Sequence, residues 1–356
     1  MVSRKLATIR RVTKTAAIEG ADLIELALID GWQCVVKKGE FAAGDLGVYF
    51  EIDSFLPSTD ARYAFLEPKF IKWEGKVGAR IKTMKLKGQL SQGLLLPMSA
   101  FPELLAVEDS DVTELLGIEK WEKPLPACLG GTARGNFPSF IPKTDQERVQ
   151  NIRDLFEDWG HRTFQESTKM DGSSMTVYYV AKGSHYYEQN AKPDGEGNMP
   201  DELSGVCSRN LDLVETTGNQ FWITARENQI IEKLRALGRN LAIQGELCGS
   251  GIQSNFEQFP DGVHDFFVYD VWDIDRQQYL SPAETHALAD QLGLKHVPVH
   301  GEIVLNDIAQ TIGQILDRAE GKGINGAKRE GIVFKHVESG FSFKAISNSY
   351  LLKHGE

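Results

Sequence analysis

The first hundred residues alternate apolar and polar positions at strand period, interrupted by turn residues. Trp32-Gln33-Cys34-Val35-Val36-Lys37, Gly47-Val48-Tyr49-Phe50-Glu51-Ile52 and Gly93-Leu94-Leu95-Leu96 are the clearest runs. Short strands from about Leu6 to about Pro97 predict a small β-barrel. Pro124, Pro126, Gly130, Gly131, Gly135, Pro138 and Pro142 then crowd one interval, as in a linker. Beyond it the spacing predicts helices alternating with strands. Thr144-Asp145-Gln146-Glu147 has the form of a capping box, and Val149, Ile152, Leu155 and Trp159 follow near helical spacing. Ser281-Pro282-Ala283-Glu284 is a second box, with proline at the first helical position. Between Gln189 and Ser204 a run rich in Gly, Pro, Asp and Asn predicts a mobile surface insertion. The expected organisation is a barrel domain over residues 1–125, a linker over 126–143 and an α/β domain over 144–356.

Composition narrows the class. A chain of 356 residues suits two domains, and 41% hydrophobic with 25% charged residues is ordinary for a soluble protein. No apolar run approaches the ~20 residues that span a bilayer, and no signal peptide opens the chain, so a cytoplasmic location is expected. Cys34, Cys128, Cys207 and Cys248 are scattered, which predicts reduced core cysteines rather than a zinc site or a disulfide framework. The net charge of −11 argues against holding nucleic acid by bulk attraction. One local basic run exists: Lys69, Lys72, Lys76, Arg80, Lys82, Lys85 and Lys87 accompany a single acid, Glu74.

Lys169-Met170-Asp171-Gly172 lies between two strand-like stretches, the second being Met175 to Val180. A nucleophilic lysine needs help to shed its proton, since its ordinary pKa is near ~10.4. Alone, this four-residue pattern recurs as a surface turn. The ordered set downstream changes its meaning: Ser208-Arg209-Asn210, Gly245-Glu246-Leu247, Phe267-Val268-Tyr269-Asp270, Glu330-Gly331-Ile332-Val333-Phe334-Lys335 and Ser342-Phe343-Lys344. An aromatic can stack on a purine, carboxylates can hold metal-bound waters, and lysines can neutralise an α-phosphate.

These stretches together resemble motifs I, Ia, III, IIIa, IV and V of the covalent nucleotidyltransferases: DNA ligases, RNA ligases and mRNA capping enzymes. Gln244-Gly245-Glu246-Leu247-Cys248-Gly249 is similar to motif III of phage RNA-sealing ligases. Only a dozen residues follow Lys344, so the downstream OB domain of DNA ligases and capping enzymes has no room. From about Leu6 to Tyr350 the chain instead resembles ATP-dependent RNA ligases with an N-terminal OB domain.

The resemblance implies an α+β fold, an OB barrel followed by an α/β nucleotidyltransferase with antiparallel sheets framing an ATP groove. It implies joining of 3′-hydroxyl and 5′-phosphate RNA ends, as in a nicked duplex, by a monomer through lysyl-AMP and RNA-adenylate. ATP and Mg²⁺ or Mn²⁺ are the expected cofactors. Lys169, Glu330 and Lys344 are the expected catalytic residues. Thr168, Asp171, Gly172, Arg148, Arg209, Glu246, Tyr269, Phe267 and Lys335 would bind ATP, Arg148 at the departing pyrophosphate and Tyr269 ahead of Phe267 on the base. Asp171, Glu246 and Glu330 would reach the metal through water. Ser174 departs from an asparagine common after the motif I glycine, and Ser342 from a second motif V lysine. A DNA ligase or guanylyltransferase with rearranged domains, or a non-catalytic OB-fold protein, are the alternatives.

Two patterns are decoys. Gly321-Lys322-Gly323-Ile324-Asn325-Gly326 follows a helical stretch and precedes a strand, the reverse of a dinucleotide fold. His296 and His300 have metal-like spacing but no third ligand nearby, and are expected on a strand.

Overall fold

The computed structural model describes residues 4–122, 131–193 and 196–354. They fall into two compact units. Met1–Pro124, Arg148–Asp154 and Ser347–Glu356 make the first, and Leu125–Glu147 with Leu155–Ile346 make the second.

In the first unit, Leu46–Phe50 pairs antiparallel with Ala7–Arg11 on one side and Leu94–Pro97 on the other. Paired on both sides, it buries four consecutive residues, Gly47, Val48, Tyr49 and Phe50. Trp32–Lys37 forms where its alternation places it, with Trp32, Cys34 and Val36 buried. It closes a sheet with Ile24–Ile29 and Lys14–Ala17. Ser54–Pro57 lies between Glu119–Lys120 and the hairpin Phe70–Trp73/Lys76–Arg80. Ile9, Phe50, Leu56, Tyr63 and Phe101 share the core of this unit. The helix Asn348–His354 also belongs here, and Asn348 Oδ1 accepts from Gln92 at 3.0 Å.

The second unit holds two antiparallel sheets. The larger centres on Ser173–Ala181, Leu241–Gly249 and His264–Asp273. Met175, Val177, Ile243, Phe266 and Val268 pack on one of its faces against Phe221, Leu234 and Leu288 from helices Gln220–Glu227, Ile230–Leu237 and Pro282–Gln291. In the smaller sheet Thr163–Lys169 runs between Val299–Val304 and Gly331–His336, and the latter also pairs with Ser342–Ile346. Phe164, Phe334 and Phe343 interlock across it. No helix among the described residues is long and apolar enough to cross a membrane.

Several expectations need correction. The interval expected to be a linker contains a strand, Ala133–Asn136, paired with Leu211–Leu213; residues 123–130, with Cys128, lie outside those described. No helix begins at the Thr144 box. Thr144 and Asp145 turn toward other side chains, described below, and the apolar spacing after them is divided between a 3-10 turn, Val149–Asn151, and a helix, Leu155–Trp159. Asp154 separates the two with φ 53°, a left-handed conformation that ends a right-handed helix. The Ser281 box does form: Ser281 Oγ accepts from Glu284 N at 3.2 Å, and Glu284 Oε2 from Ser281 N at 2.8 Å. The expected insertion begins inside a helix, His185–Asn190, and ends inside a strand, Glu202–Cys207; residues 194–195 lie outside those described. Cys34, Cys207 and Cys248 are buried and unbridged.

Candidate active site

The register of the smaller sheet brings the first two functional side chains together. Lys169 ends its strand opposite Gly331, so Glu330 arrives beside it. Lys169 Nζ donates to Glu330 Oε2 at 2.8 Å. A Cβ at Gly331 would stand 2.1 Å from the carbonyl of Ala345, so only glycine lets the next strand approach this closely. Gly172 serves the other sheet in the same way. A Cβ there would meet the Leu247 carbonyl at 2.4 Å and Glu246 Cγ at 2.8 Å, and the strand starting at Ser173 then places Ser174 opposite Glu246.

A bulge brings in the aromatic. Gln244 pairs with Asp270 but Gly245 with Val268, so Tyr269 is an extra residue in its strand. Such a bulge re-aims the side chain it carries. The Tyr269 hydroxyl lies 3.2 Å from Ser174 Oγ and 2.9 Å from Thr144 Oγ1, which is how Thr144 is used instead of as a cap. Phe267 sits deeper, packed with Met170, Cys248, Phe259 and Val297. Lys335 Nζ donates to Asp270 Oδ1 at 2.6 Å and to the Tyr269 carbonyl, and lies 5.6 Å from the Tyr269 ring centre. Asp145 gathers two further cations: Arg209 at 2.7 Å and Lys344 at 3.7 Å.

Acids dominate the surroundings of Lys169. Burial alone would lower its pKa, but the charges of Glu330, Glu246 and Asp171 outweigh that and hold the ammonium above the ordinary lysine range. Glu246 is pushed up to about 7 by burial and by Asp171, against the pull of Lys169 and Arg209. Sequence reasoning missed another acid here. Glu257, 1% exposed, is also raised to about 7, by burial and then by Asp171. It packs against Gly323 of the GxGxxG decoy, where an added Cβ would stand 2.2 Å from Glu257 Oε2. An acid between phenylalanines, Phe256-Glu257-Gln258-Phe259, was the available signal.

The remaining expected residues fall as follows. Thr168 is buried next to the lysine, and its hydroxyl is 3.0 Å from His300 Nε2. Arg148 belongs to the first unit, where its guanidinium lies 3.6 Å from Glu51 and 3.8 Å from Asp53. His296 and His300 lie on strands Lys295–His296 and Val299–Val304.

Comparison with known proteins identifies the family. A family model described as RNA ligase matches residues 162–346, and one described as an OB-fold domain matches residues 6–98. Among solved structures, a lysine-to-alanine variant of Naegleria gruberi RNA ligase with ATP and Mn is 47% identical, with a TM-score of 0.87 over 98% of each chain. A glutamate-to-alanine variant of that ligase with AMP and Mn gives the same identity, score and coverage. The Naegleria ligase with PPi is 48% identical, with a TM-score of 0.87 over 99% of each chain. No curated protein matches.

Proposed function

This chain belongs to the RNA ligase family and is an ATP-dependent RNA ligase with an N-terminal OB-fold domain, and from that premise we propose that Lys169 is its adenylylated nucleophile. The observation that carries the reading is the 2.8 Å pair of Lys169 with Glu330, set beside Asp171 and Glu246. Lys169 Nζ attacks the α-phosphorus of ATP, forming an N–P bond as pyrophosphate leaves. AMP passes to an RNA 5′-phosphate, and a 3′-hydroxyl attacks that activated phosphate and releases AMP. The DNA-ligase, guanylyltransferase and binding-module alternatives are not favoured.

Lys169 must lose a proton first, and in the resting site its acids oppose that. The carboxylate oxygens of Asp171, Glu246 and Glu330 suit Mg²⁺ or Mn²⁺. In this reading these acids would hold the ion through its waters, with other ligand positions left to ATP. When bound, the ion supplies positive charge that offsets the carboxylates and polarises the α-phosphate. Asp171 and Glu246 are also our candidates to meet the ribose. Tyr269, held by Ser174 and Thr144, presents a ring for the adenine, ahead of the buried Phe267. Lys344, with Lys335, faces the charge that develops on the α-phosphate. Arg148 remains our candidate for the departing pyrophosphate, and a nicked duplex sealed by a monomer our candidate for the working complex. The bound ATP, AMP and manganese of the Naegleria structures support ATP and a divalent metal as what the site takes.

The test uses ATP labelled at the α-phosphate with Mg²⁺ or Mn²⁺. The denatured wild-type chain should carry label and Lys169→Ala none, while the variant still seals a pre-adenylylated RNA strand. Label retained on Lys169→Ala would overturn the assignment.

A further inference from the structure

His300 sits at a second bulge. Glu166 pairs with Gly301 but Ser167 with Val299, leaving His300 as the extra residue of the edge strand. Gly301, at φ 142°, supplies backbone freedom at that point. The first bulge aims Tyr269 into the site; this one aims His300 at the two chain positions that precede the reacting pair. Its Nε2 is 3.0 Å from Thr168 Oγ1, next to Lys169, and 3.0 Å from Arg329 Nη1, next to Glu330.

The chemistry of the contact is constrained. A guanidinium only donates, so Nε2 must accept, which leaves the ring neutral with its proton on Nδ1. Burial and the Arg329 charge both push the imidazole pKa down, with Glu166 opposing and Arg318 adding to the fall. Each flank is fixed from behind. Arg329 also donates to the carbonyls of Arg318 at 2.6 Å, Ala319 at 3.1 Å and Glu320 at 3.2 Å, where helix Ile312–Ala319 ends. Arg318 forks the buried carboxylate of Glu166 at 2.8 and 3.1 Å. The Thr168 amide donates to the Pro298 carbonyl at 2.8 Å. The imidazole thus joins two anchored segments, each one residue from the chemistry.

We propose that His300 is a positioning residue for adenylylation of Lys169, its ring tying the strand end that carries the nucleophile to the loop that delivers Glu330. The proposal rests on the reading of Lys169 and Glu330 given above. A displacement of about 1 Å in a reacting group costs on the order of a hundredfold in rate, so a tie one residue away acts through the rate of the chemical step.

The full-length enzyme decides it. His300→Ala removes the acceptor, and His300→Gln returns an amide oxygen near the place of Nε2. For each variant one measures lysyl-AMP formation from labelled ATP in a single turnover, its dependence on ATP, sealing of a pre-adenylylated RNA strand, and thermal melting. His300→Ala should slow lysyl-AMP formation at saturating ATP by about tenfold or more. Half-saturating ATP and melting temperature should stay near wild type, sealing of the pre-adenylylated strand should fall far less, and His300→Gln should recover most of the rate. His300→Phe keeps a ring but removes the acceptor, should show the same split, and decides the matter if the alanine variant does not fold. A wild-type rate in these deletions, a glutamine variant as slow as alanine, or equal loss of both reactions would overturn the proposal. If the wild-type chain takes no label, the reading of Lys169 fails instead; if it labels and His300→Ala labels equally fast, only this inference fails.

Discussion

An ammonium surrounded by carboxylates is stable and unreactive, which is the resting condition of Lys169. The same acids become useful once positive charge enters among them. Glu330→Ala and Lys344→Ala should each slow lysyl-AMP formation by a factor on the order of a hundred or more, measured by label transfer from ATP. Near-normal rates would make those side chains structural. Glu257 yields a separate expectation. Its carboxyl stands at about 7 in the fold against an ordinary 4.5, so the fold favours the protonated form. Its stabilising contribution is complete below the ordinary value and is lost as pH rises through about 7. Glu257→Gln keeps the shape and cannot ionise; the metal-free variant should therefore gain melting temperature over wild type at pH 8 and gain much less at pH 5. A gain that is equal at both would show Glu257 ionised throughout. At this scale the sequence exposed the residues that lie in compact motifs, Lys169 and Glu330 among them. It hid Glu257, Thr144 and His300, because each reaches its neighbours from a segment remote in the chain.

Strand pairing decides where these groups point. Period-2 alternation located strands such as Trp32–Lys37, since a half-buried strand must alternate. It could not reveal the two bulges, each of which shifts the alternation by one residue and so looks like noise in the pattern. Nor could it show that Val149 and Leu155 lie in separate short elements, because both are buried and the break at Asp154 is a backbone property. Tight approach was equally invisible, though its markers were glycines. Gly172→Ala should push the Lys169 turn off the strand Leu241–Gly249, because the atom 2.4 Å away is a backbone carbonyl that cannot swing aside. The expected outcome is loss of lysyl-AMP formation with destabilisation of about 1–3 kcal/mol, read by label transfer and denaturant melts. Full activity in that variant would mean that the turn relaxes freely.

For the whole molecule the substrate is the question. The basic run splits on inspection. Lys76 is paired with Glu119 at 2.6 Å, and Arg80 with Asp53 at 2.7 Å while lying 3.6 Å over the Trp121 ring. Lys69, Lys72, Lys82, Lys85 and Lys87 remain exposed. If they meet phosphates, replacing Lys85 and Lys87 by alanine should weaken RNA binding and flatten its salt dependence by about one unit of slope for each phosphate no longer neutralised. An unchanged slope would leave them as solvated charges. Sealing should also favour a nicked duplex whose 3′-hydroxyl strand is RNA over one in which it is DNA, since the 2′-hydroxyl is the feature that separates them. Equal sealing would favour a DNA ligase. The two-part organisation was legible from composition and pattern, but the return of residues 148–154 and 347–356 to the first unit was not, because short returning segments carry no period of their own. That threading has a consequence for biogenesis. A ribosome releases residues in order, so Tyr350 and Leu351, both buried in the finished protein, emerge only after the entire nucleotidyltransferase has been made. The unit begun first is therefore completed after the second, and a nascent chain halted short of Asn348 would carry the residues proposed for adenylylation on an unfinished protein.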